Sequence, residues 1–209
     1  MPNTPRTVVW DFNGTLLDDV RACLDALNAI LRGNRLPPLS AEDYRARFRF
    51  PVAEFYRELG MVPATRYDWE ALGESFHMRY LFSRHLGLQP GAREALTALR
   101  AAGIRQGVLS ALEQGLLEMQ LRQFGLTPYF DFIRGSRNYD GASKEAAARD
   151  LPLEGPTLLV GDTLHDAEVA RAMGWDCILC SAGHQNAERL ATAGFPIIPS
   201  LLLLPPRLL

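Results

Sequence analysis

The 209-residue sequence predicts an α/β protein: a parallel β-sheet with helices on both faces, plus an inserted all-helical segment. Three observations predict it. Thr7 to Trp10 is a short β-branched and aromatic run between Pro5 and Gly14, the pattern of a strand buried on both faces. From Pro90 onward, short apolar runs alternate with helical patterns, as repeated β-α units do. Between them, residues 18 to 86 carry helical periodicity and no convincing strand.

The elements follow in order. Asp18 to Leu31 has apolar residues at Val20, Cys23, Leu24, Leu27, Ile30 and Leu31, which is helical spacing, and Gly33 ends it. Ser40-Ala-Glu-Asp43 is a capping-box-like start for a second helix. Pro51 opens a third, to about Leu59, with Gly60 after it. Asp68 to Leu86 carries Trp69, Leu72, Phe76, Tyr80 and Leu81 at helical spacing. Beyond Pro90 the sequence predicts helices at Ala92–Ala102, Leu112–Phe124, Ser143–Arg149, Asp166–Met173 and near Ala187–Ala193. It predicts strands at Ile104–Ser110, Phe130–Arg134, Thr157–Val160, Asp176–Cys180 and Ile197–Ile198. Right-handed crossovers place every carboxyl end of such strands on one edge. The expected organisation is a Rossmann-like core, residues 1–17 and 87–209, with a helical lobe at 18–86.

Composition excludes several classes. The net charge of −2 gives no overall basic field to attract nucleic acid. The sequence carries neither a signal-peptide pattern nor an apolar run long enough to span a bilayer, and Leu201 to Leu204 is only four residues long. That run is expected to pack on the body or on a second subunit, so monomer and homodimer both stay open. Three cysteines argue against a disulfide framework and for the cytoplasm. Cys177 and Cys180 lie three apart on one predicted strand, so they point to opposite faces and cannot share a metal.

The residues suited to chemistry fall at strand ends or helix starts: Asp11 with Asn13, Ser110, Lys144, and Asp162 with Asp166. Lys144 is the single lysine; the other 21 of the 22 basic residues are arginines. It follows Ser143, a good N-cap, and so stands in a helix's first turn, where a cation is unfavourable unless it serves a purpose. Asp162 and Asp166, four apart, make with Asp11 a hard-oxygen cluster suited to Mg²⁺. Ser110 either hydrogen-bonds a phosphoryl oxygen or caps the helix that follows. Asp11 and Asn13 could also serve only an Asx-type turn.

Together these motifs resemble the haloacid dehalogenase superfamily, in order and spacing, over about residues 7 to 183. Asp11-Phe-Asn-Gly-Thr-Leu16 stands where that family has Asp-x-Asp-Gly-Thr-Leu, and Ser110 in Val108-Leu-Ser-Ala111 is its second motif. Lys144 matches its third, and Gly161-Asp162 with Asp166 its fourth. The lobe at 18–86 resembles its helical, C1-type cap. The resemblance implies a Mg²⁺-dependent phosphatase of the phosphoglycolate-phosphatase type, acting on a small phosphorylated metabolite without nucleic acid or membrane. Asp11 would be the nucleophile. Asp11, the backbone carbonyl of Asn13, Asp162 and Asp166 would hold Mg²⁺. Ser110, Ala111 and Lys144 would hold the transferring oxygens. Arg47 and Arg49, in a stretch with Arg45, Tyr44, Phe48 and Phe50, either reach a second anionic group on the substrate or form a solvated face.

One departure stands out. Family phosphatases carry an acid at position 13, which protonates the leaving oxygen and activates water. Asn13 can do neither, and losing a general acid–base typically costs about 10²–10⁴ in rate. Three readings follow: a substrate with a good leaving group, substitution by His165 or water, or phosphate binding with little turnover. Deamidation of Asn13-Gly14 is a fourth. Asp162 and Asp166 disfavour the dehalogenase branch, and the absence of a lysine from 18–86 disfavours the phosphonate-cleaving branch. A receiver-like domain phosphorylated at Asp11 would not need the lobe.

Overall fold

A computed structural model describes residues 5–63, 65–136, 144–151 and 153–209, without the side chains at 66 and 67. The chain opens with β1 (Thr7–Trp10), followed by β2 (Leu17–Asp18) and the helices α1 (Val20–Gly33), α2 (Ala41–Arg47), α3 (Val52–Glu58) and α4 (Arg66–Leu81). Then come β3 (Gly87–Leu88), α5 (Ala92–Ala101), β4 (Arg105–Glu113), α6 (Gln114–Gln123), β5 (Phe132–Ser136), α7 (Lys144–Arg149) and β6 (Thr157–Gly161). The last elements are α8 (Leu164–Met173), β7 (Asp176–Cys180), α9 (Ala187–Ala191), β8 (Ile197–Ile198) and α10 (Pro205–Leu208).

Six strands form one parallel sheet in the order β5-β4-β1-β6-β7-β8. β1 is central because both of its faces are apolar. Val8 and Trp10 join one buried cluster with Leu96 and Leu99 of α5, and Val9 joins the other with Ala167 and Ala170 of α8. Such alternation is what period two demands of a strand sandwiched between helices. The Trp10 indole N–H is satisfied by Gln106 Oε1 at 3.0 Å. Cys180 and Cys177 fall in the two different clusters, as their spacing requires, and both are free. No helix among the described residues is long and apolar enough to cross a membrane.

Residues 20 to 86 form a helical lobe around an apolar cluster of their own, with Leu27, Leu31, Phe55 and Tyr56 buried in it. The expected absence of strands does not hold at its base. β2 and β3 pair antiparallel, Leu17 with Leu88 and Asp18 with Gly87, and tie the two chain crossings together. Two residues per strand are too few to show a period, so no sequence pattern could reveal them. α1 starts at Val20 with Asp19 as N-cap. α4 starts earlier than expected, because Thr65 and Asp68 form a capping box, and it ends at Leu81.

Two further boundaries move. β4 runs on to Glu113, and α6 begins at Gln114 because the Glu113 side chain accepts from the N–H groups of Gly115 and Leu116. Ser110 is therefore inside the strand and is not a helix cap. α8 begins at Leu164, with Asp166 as the third residue of a capping box opened by Thr163. The expected N-cap Ser143 lies outside the described residues.

The carboxyl-terminal leucines pack on the body. Leu201 and Leu204 are buried in the α5 cluster, while Leu202 and Leu203 face solvent. We predict that Leu201→Ala lowers stability by about 2–5 kcal/mol, the cost of a buried leucine cavity, and Leu202→Ala by under about 0.5 kcal/mol. Urea unfolding of both variants checks this; equal losses would overturn the packing of the tail.

Candidate active site

β4, β1 and β6 are neighbours, so their carboxyl ends bring Ser110, Asp11 and Asp162 to one edge of the sheet. The Asp11 N–H donates to Val160 O at 2.8 Å, which fixes the turn out of β1. α7 brings Lys144 in from the side. Its Nζ donates to Asp11 Oδ1 at 2.6 Å and to Asp166 Oδ1 at 2.5 Å, and the ammonium is buried. Asp166 Oδ2 accepts from the N–H groups of Asp162 and Thr163 and from Thr163 Oγ1, so one carboxylate both caps α8 and anchors the lysine. Thr15 Oγ1 donates to Asp162 Oδ1 at 3.0 Å and lies 3.5 Å from Asp11 Oδ2. Ser110 is buried, and its Oγ accepts from the Leu112 N–H at 3.1 Å. Ala111 follows it, half-buried.

One carboxylate oxygen from each of Asp11, Asp162 and Asp166 lies within 4.8 Å of the other two. This crowding shows in their proton affinities. Burial, together with the charges of Asp166 and Asp162, raises the Asp11 carboxyl well above its ordinary value despite Lys144. Burial and Asp166 push Asp162 up to about 6, against the pull of His184. Asp166 is held below its ordinary value, because Lys144 and Thr163 outweigh its burial. Lys144 is raised because its two carboxylates outweigh burial. Asp11 and Asp166 share one buried cation at hydrogen-bond distance, Lys144, and with Asp162 they offer a set of hard oxygen donors that suits a divalent cation such as Mg²⁺.

A second network, centred on Asp19, is not evident from the sequence. Asp19 has no exposed surface. Its Oδ1 accepts from the Gly14 N–H at 2.9 Å and from His184 Nε2 at 3.1 Å. Its Oδ2 accepts from Asn13 Nδ2 at 2.8 Å and Tyr80 Oη at 2.9 Å, with Cys23 Sγ at 3.7 Å. Asn13 Nδ2 also donates to Tyr80 Oη at 2.9 Å. The other ring nitrogen of His184, Nδ1, meets Tyr44 Oη at 2.9 Å, and the His184 backbone N–H donates to Asp162 Oδ2 at 2.6 Å. Asp19 stays ionised: burial would raise its carboxyl, but His184, Asn13 and Tyr80 hold it below its ordinary value. Gly14 makes this convergence possible. Its φ is +77°, and a Cβ there would stand 2.2 Å from Asp162 Oδ2 and 2.5 Å from His184 Cδ2.

The structure thus brings Asp11, Asn13, Lys144, Asp162 and Asp166 together, with Ser110 on the adjacent strand. It does not bring Arg47 and Arg49 to them. Both clamp Glu58, at 3.1 and 3.0 Å, and both are part-exposed. His165 lies against Phe50 with the rings tilted by 37°, has Nδ1 3.4 Å from Glu168 Oε2, and is not among the hydrogen-bond partners of Asp11. Deamidation of Asn13 is opposed by its surroundings. The Gly14 nitrogen, which would have to attack the side chain, donates to Asp19 Oδ1 and Leu17 O. His184 and Asp19 escaped the sequence reading, although the loop after β7 is a strand end like the others.

A family model described as haloacid dehalogenase-like hydrolase matches residues 8–180. The tyrosine-protein kinase PtkA of Mycobacterium tuberculosis is 29% identical over 88% of this chain, which spans 65% of the kinase's length. The phosphoglycolate phosphatase of Rhodospirillum rubrum is 30% identical over 91% of this chain and 85% of its own. The solved structure of PtkA superposes with a TM-score of 0.80 at 23% identity, covering 99% of each chain.

Two predictions follow from the Asp19 network. Asn13→Asp replaces two donated hydrogen bonds with a carboxylate facing an ionised one, and should cost at least about 2 kcal/mol in urea unfolding at neutral pH. Unchanged stability would show that the network does not select an amide. Burial disfavours the His184 cation, but Asp19 overrides it and raises the ring from 6.5 to about 9. A raised folded-state value stabilises fully below pH 6.5 and is lost as pH rises through about 9. Wild type should lose up to about 3 kcal/mol across that window, a loss that His184→Gln flattens; parallel curves for the two proteins would refute it.

Proposed function

The chain belongs to the haloacid dehalogenase-like hydrolases, and we propose that it is a Mg²⁺-dependent phosphohydrolase working through Asp11. The observation that carries this reading is the carboxylate of Asp11, at the end of the central strand, bracketed by Lys144 and the Asp162–Asp166 pair. An Asp11 oxygen attacks phosphorus, the bond to the leaving oxygen breaks, and an aspartyl-phosphate results. Water then attacks that phosphorus and returns Asp11 as a carboxylate. Lys144 and Ser110 hold the non-bridging oxygens, beside Ala111. Asp11, the Asn13 carbonyl, Asp162 and Asp166 would hold Mg²⁺, which neutralises phosphoryl charge and aligns the attack.

Residues 18–86 act as a cap that selects a small phosphorylated metabolite, and phosphoglycolate is the substrate that the Rhodospirillum relative's name suggests. Arg47 and Arg49 could serve that choice only after exchanging Glu58 for the substrate. Three free, buried cysteines support a reducing compartment such as the cytoplasm. Asn13 favours a second reading, a phosphate-binding protein with little turnover, because an amide transfers no proton.

The test is phosphate release over a panel of phosphate esters, acyl phosphates and pyrophosphate. Asp11→Asn should reduce release by more than about 10⁴-fold, as loss of a covalent nucleophile does. Chelation should abolish it and Mg²⁺ restore it. Release that survives Asp11→Asn would sink the mechanism, and no release above that control would favour the binding protein.

A further inference from the structure

Asn13 lies two residues beyond Asp11, in the turn out of β1, where the family pattern has an acid, and its neighbours here fix its chemistry. The Asn13 carboxamide nitrogen donates to Asp19 Oδ2 and to Tyr80 Oη, which are themselves hydrogen-bonded to each other. Asp19 in turn is saturated: five donors from Asn13, Gly14, Cys23, Tyr80 and His184 converge on it. An acid at 13 would present acceptor against acceptor, so the pocket is built around an amide. What Asn13 can offer to reacting groups is its carbonyl oxygen, an acceptor that orients a water but takes no proton from it.

The neighbouring groups that carry protons are tied as well. His184 faces Asp19 through Nε2 and Tyr44 through Nδ1, and Tyr80 donates its hydroxyl proton to Asp19. Lys144 is held between Asp11 and Asp166. Thr15 donates to Asp162. Among the described residues, what is left around the site is the Ser110 hydroxyl, whose Oγ accepts from the Leu112 N–H and which is too weak an acid to protonate a leaving alkoxide, and His165 Nε2, buried without a partner on a ring that lies against Phe50.

We infer that the site takes acyl phosphates, and that the phosphoryl group on Asp11 persists after the donor has left. The inference rests on Asp11 being the nucleophile and deepens that reading by naming the donor. An alkyl phosphate must expel an alkoxide, a strong base that needs a proton as it leaves. An acyl phosphate expels a carboxylate, which is stable at neutral pH without one. The bookkeeping is then free of protons. The Asp11 carboxylate forms a bond to phosphorus, the phosphorus–oxygen bond of the donor breaks with its electron pair, and a free carboxylate departs. One mixed anhydride is exchanged for another, so the step is close to thermoneutral. Hydrolysis is the slow half: water attacks without a base, the Asp11–phosphorus bond breaks, and the proton ends on the released phosphate.

The experiment compares acetyl phosphate with glycerol phosphate on the full chain with Mg²⁺. Phosphate release and intact mass are read together, peptide mapping locates any adduct, and Asp11→Asn is the control. The expected result is a protein carrying one phosphoryl group on Asp11 after acetyl phosphate. The ester should be consumed at least about 100-fold more slowly, the range that general acid catalysis spans. Ester turnover within about tenfold of acetyl phosphate, or rapid release with no adduct, would overturn the inference and leave the nucleophile standing. Neither adduct nor release above the control, with either donor, would overturn both.

Discussion

The constraint on which the rest of the structure depends is the burial of four carboxylates at one end of a single sheet. Asp11, Asp19, Asp162 and Asp166 are all nearly or fully buried. Buried charge is tolerated only when paired and hydrogen-bonded. The local structure supplies those partners. Lys144 bridges two of the four, the first turn of α8 wraps Asp166, Thr15 and the His184 amide hold Asp162, and the remaining donors crowd Asp19. A lysine in the first turn of a helix is unfavourable in isolation. Here that cost is outweighed by two carboxylates at hydrogen-bond distance. An arginine fork would not fit between them as a compact ammonium does.

The helical lobe is part of the same electrostatic arrangement. Tyr80 from α4 and Tyr44 from α2 reach the core at the Asp19–His184 pair, where Tyr80 also accepts from Asn13 and Gln120. Around them, Arg45 donates to Ala182 O at 2.9 Å and Gln185 donates to Phe48 O at 2.8 Å, and Arg189 donates to Ala46 O at 2.7 Å. Segment 44–48 is thereby seated on the loop that follows β7. The lobe's position and the orientation of Asn13 are therefore set by one shared group, because Tyr80 bonds both Asn13 and Asp19. Moving the lobe away would break the contacts that hold the amide and uncover a buried ion pair.

Much of this was legible in the sequence, and the rest was not for physical reasons. β1 and its acidic turn, the alternation after Pro90, and Lys144, Asp162 and Asp166 are local signals, carried by residue type and spacing along a few residues. The β2–β3 ribbon is too short to carry a period. The extension of β4 past Ser110 depends on which side chain caps α6, and Glu113 takes that role although Ser110 is the better capping residue by type. The Asp19 network is the largest omission. Asp18 and Asp19 look alike in sequence, yet one is exposed and the other fully buried, because β2 ends between them and turns the second inward. Its partners Tyr44, Tyr80 and His184 lie 25 or more positions away, and no spacing rule joins them.

Asn13 separates what a family pattern implies from what this chain can do. Read as a lost acid, it suggests decay of an enzyme. The contacts around it point elsewhere. A decayed position has no reason to keep partners suited to the replacement, whereas here the amide nitrogen has acceptors at 2.8 and 2.9 Å, and one of those acceptors is an ionised carboxylate that would repel the residue supposedly lost. A buried polar network is costly unless its members are satisfied, and here both Asp19 oxygens and Tyr80 Oη have donors with an amide at the edge, while Gln120 Oε1, behind Tyr80, is left without a partner. An amide held in this way is what sets the proposed phosphoryl chemistry apart from the family pattern: it would favour a leaving group that needs no proton.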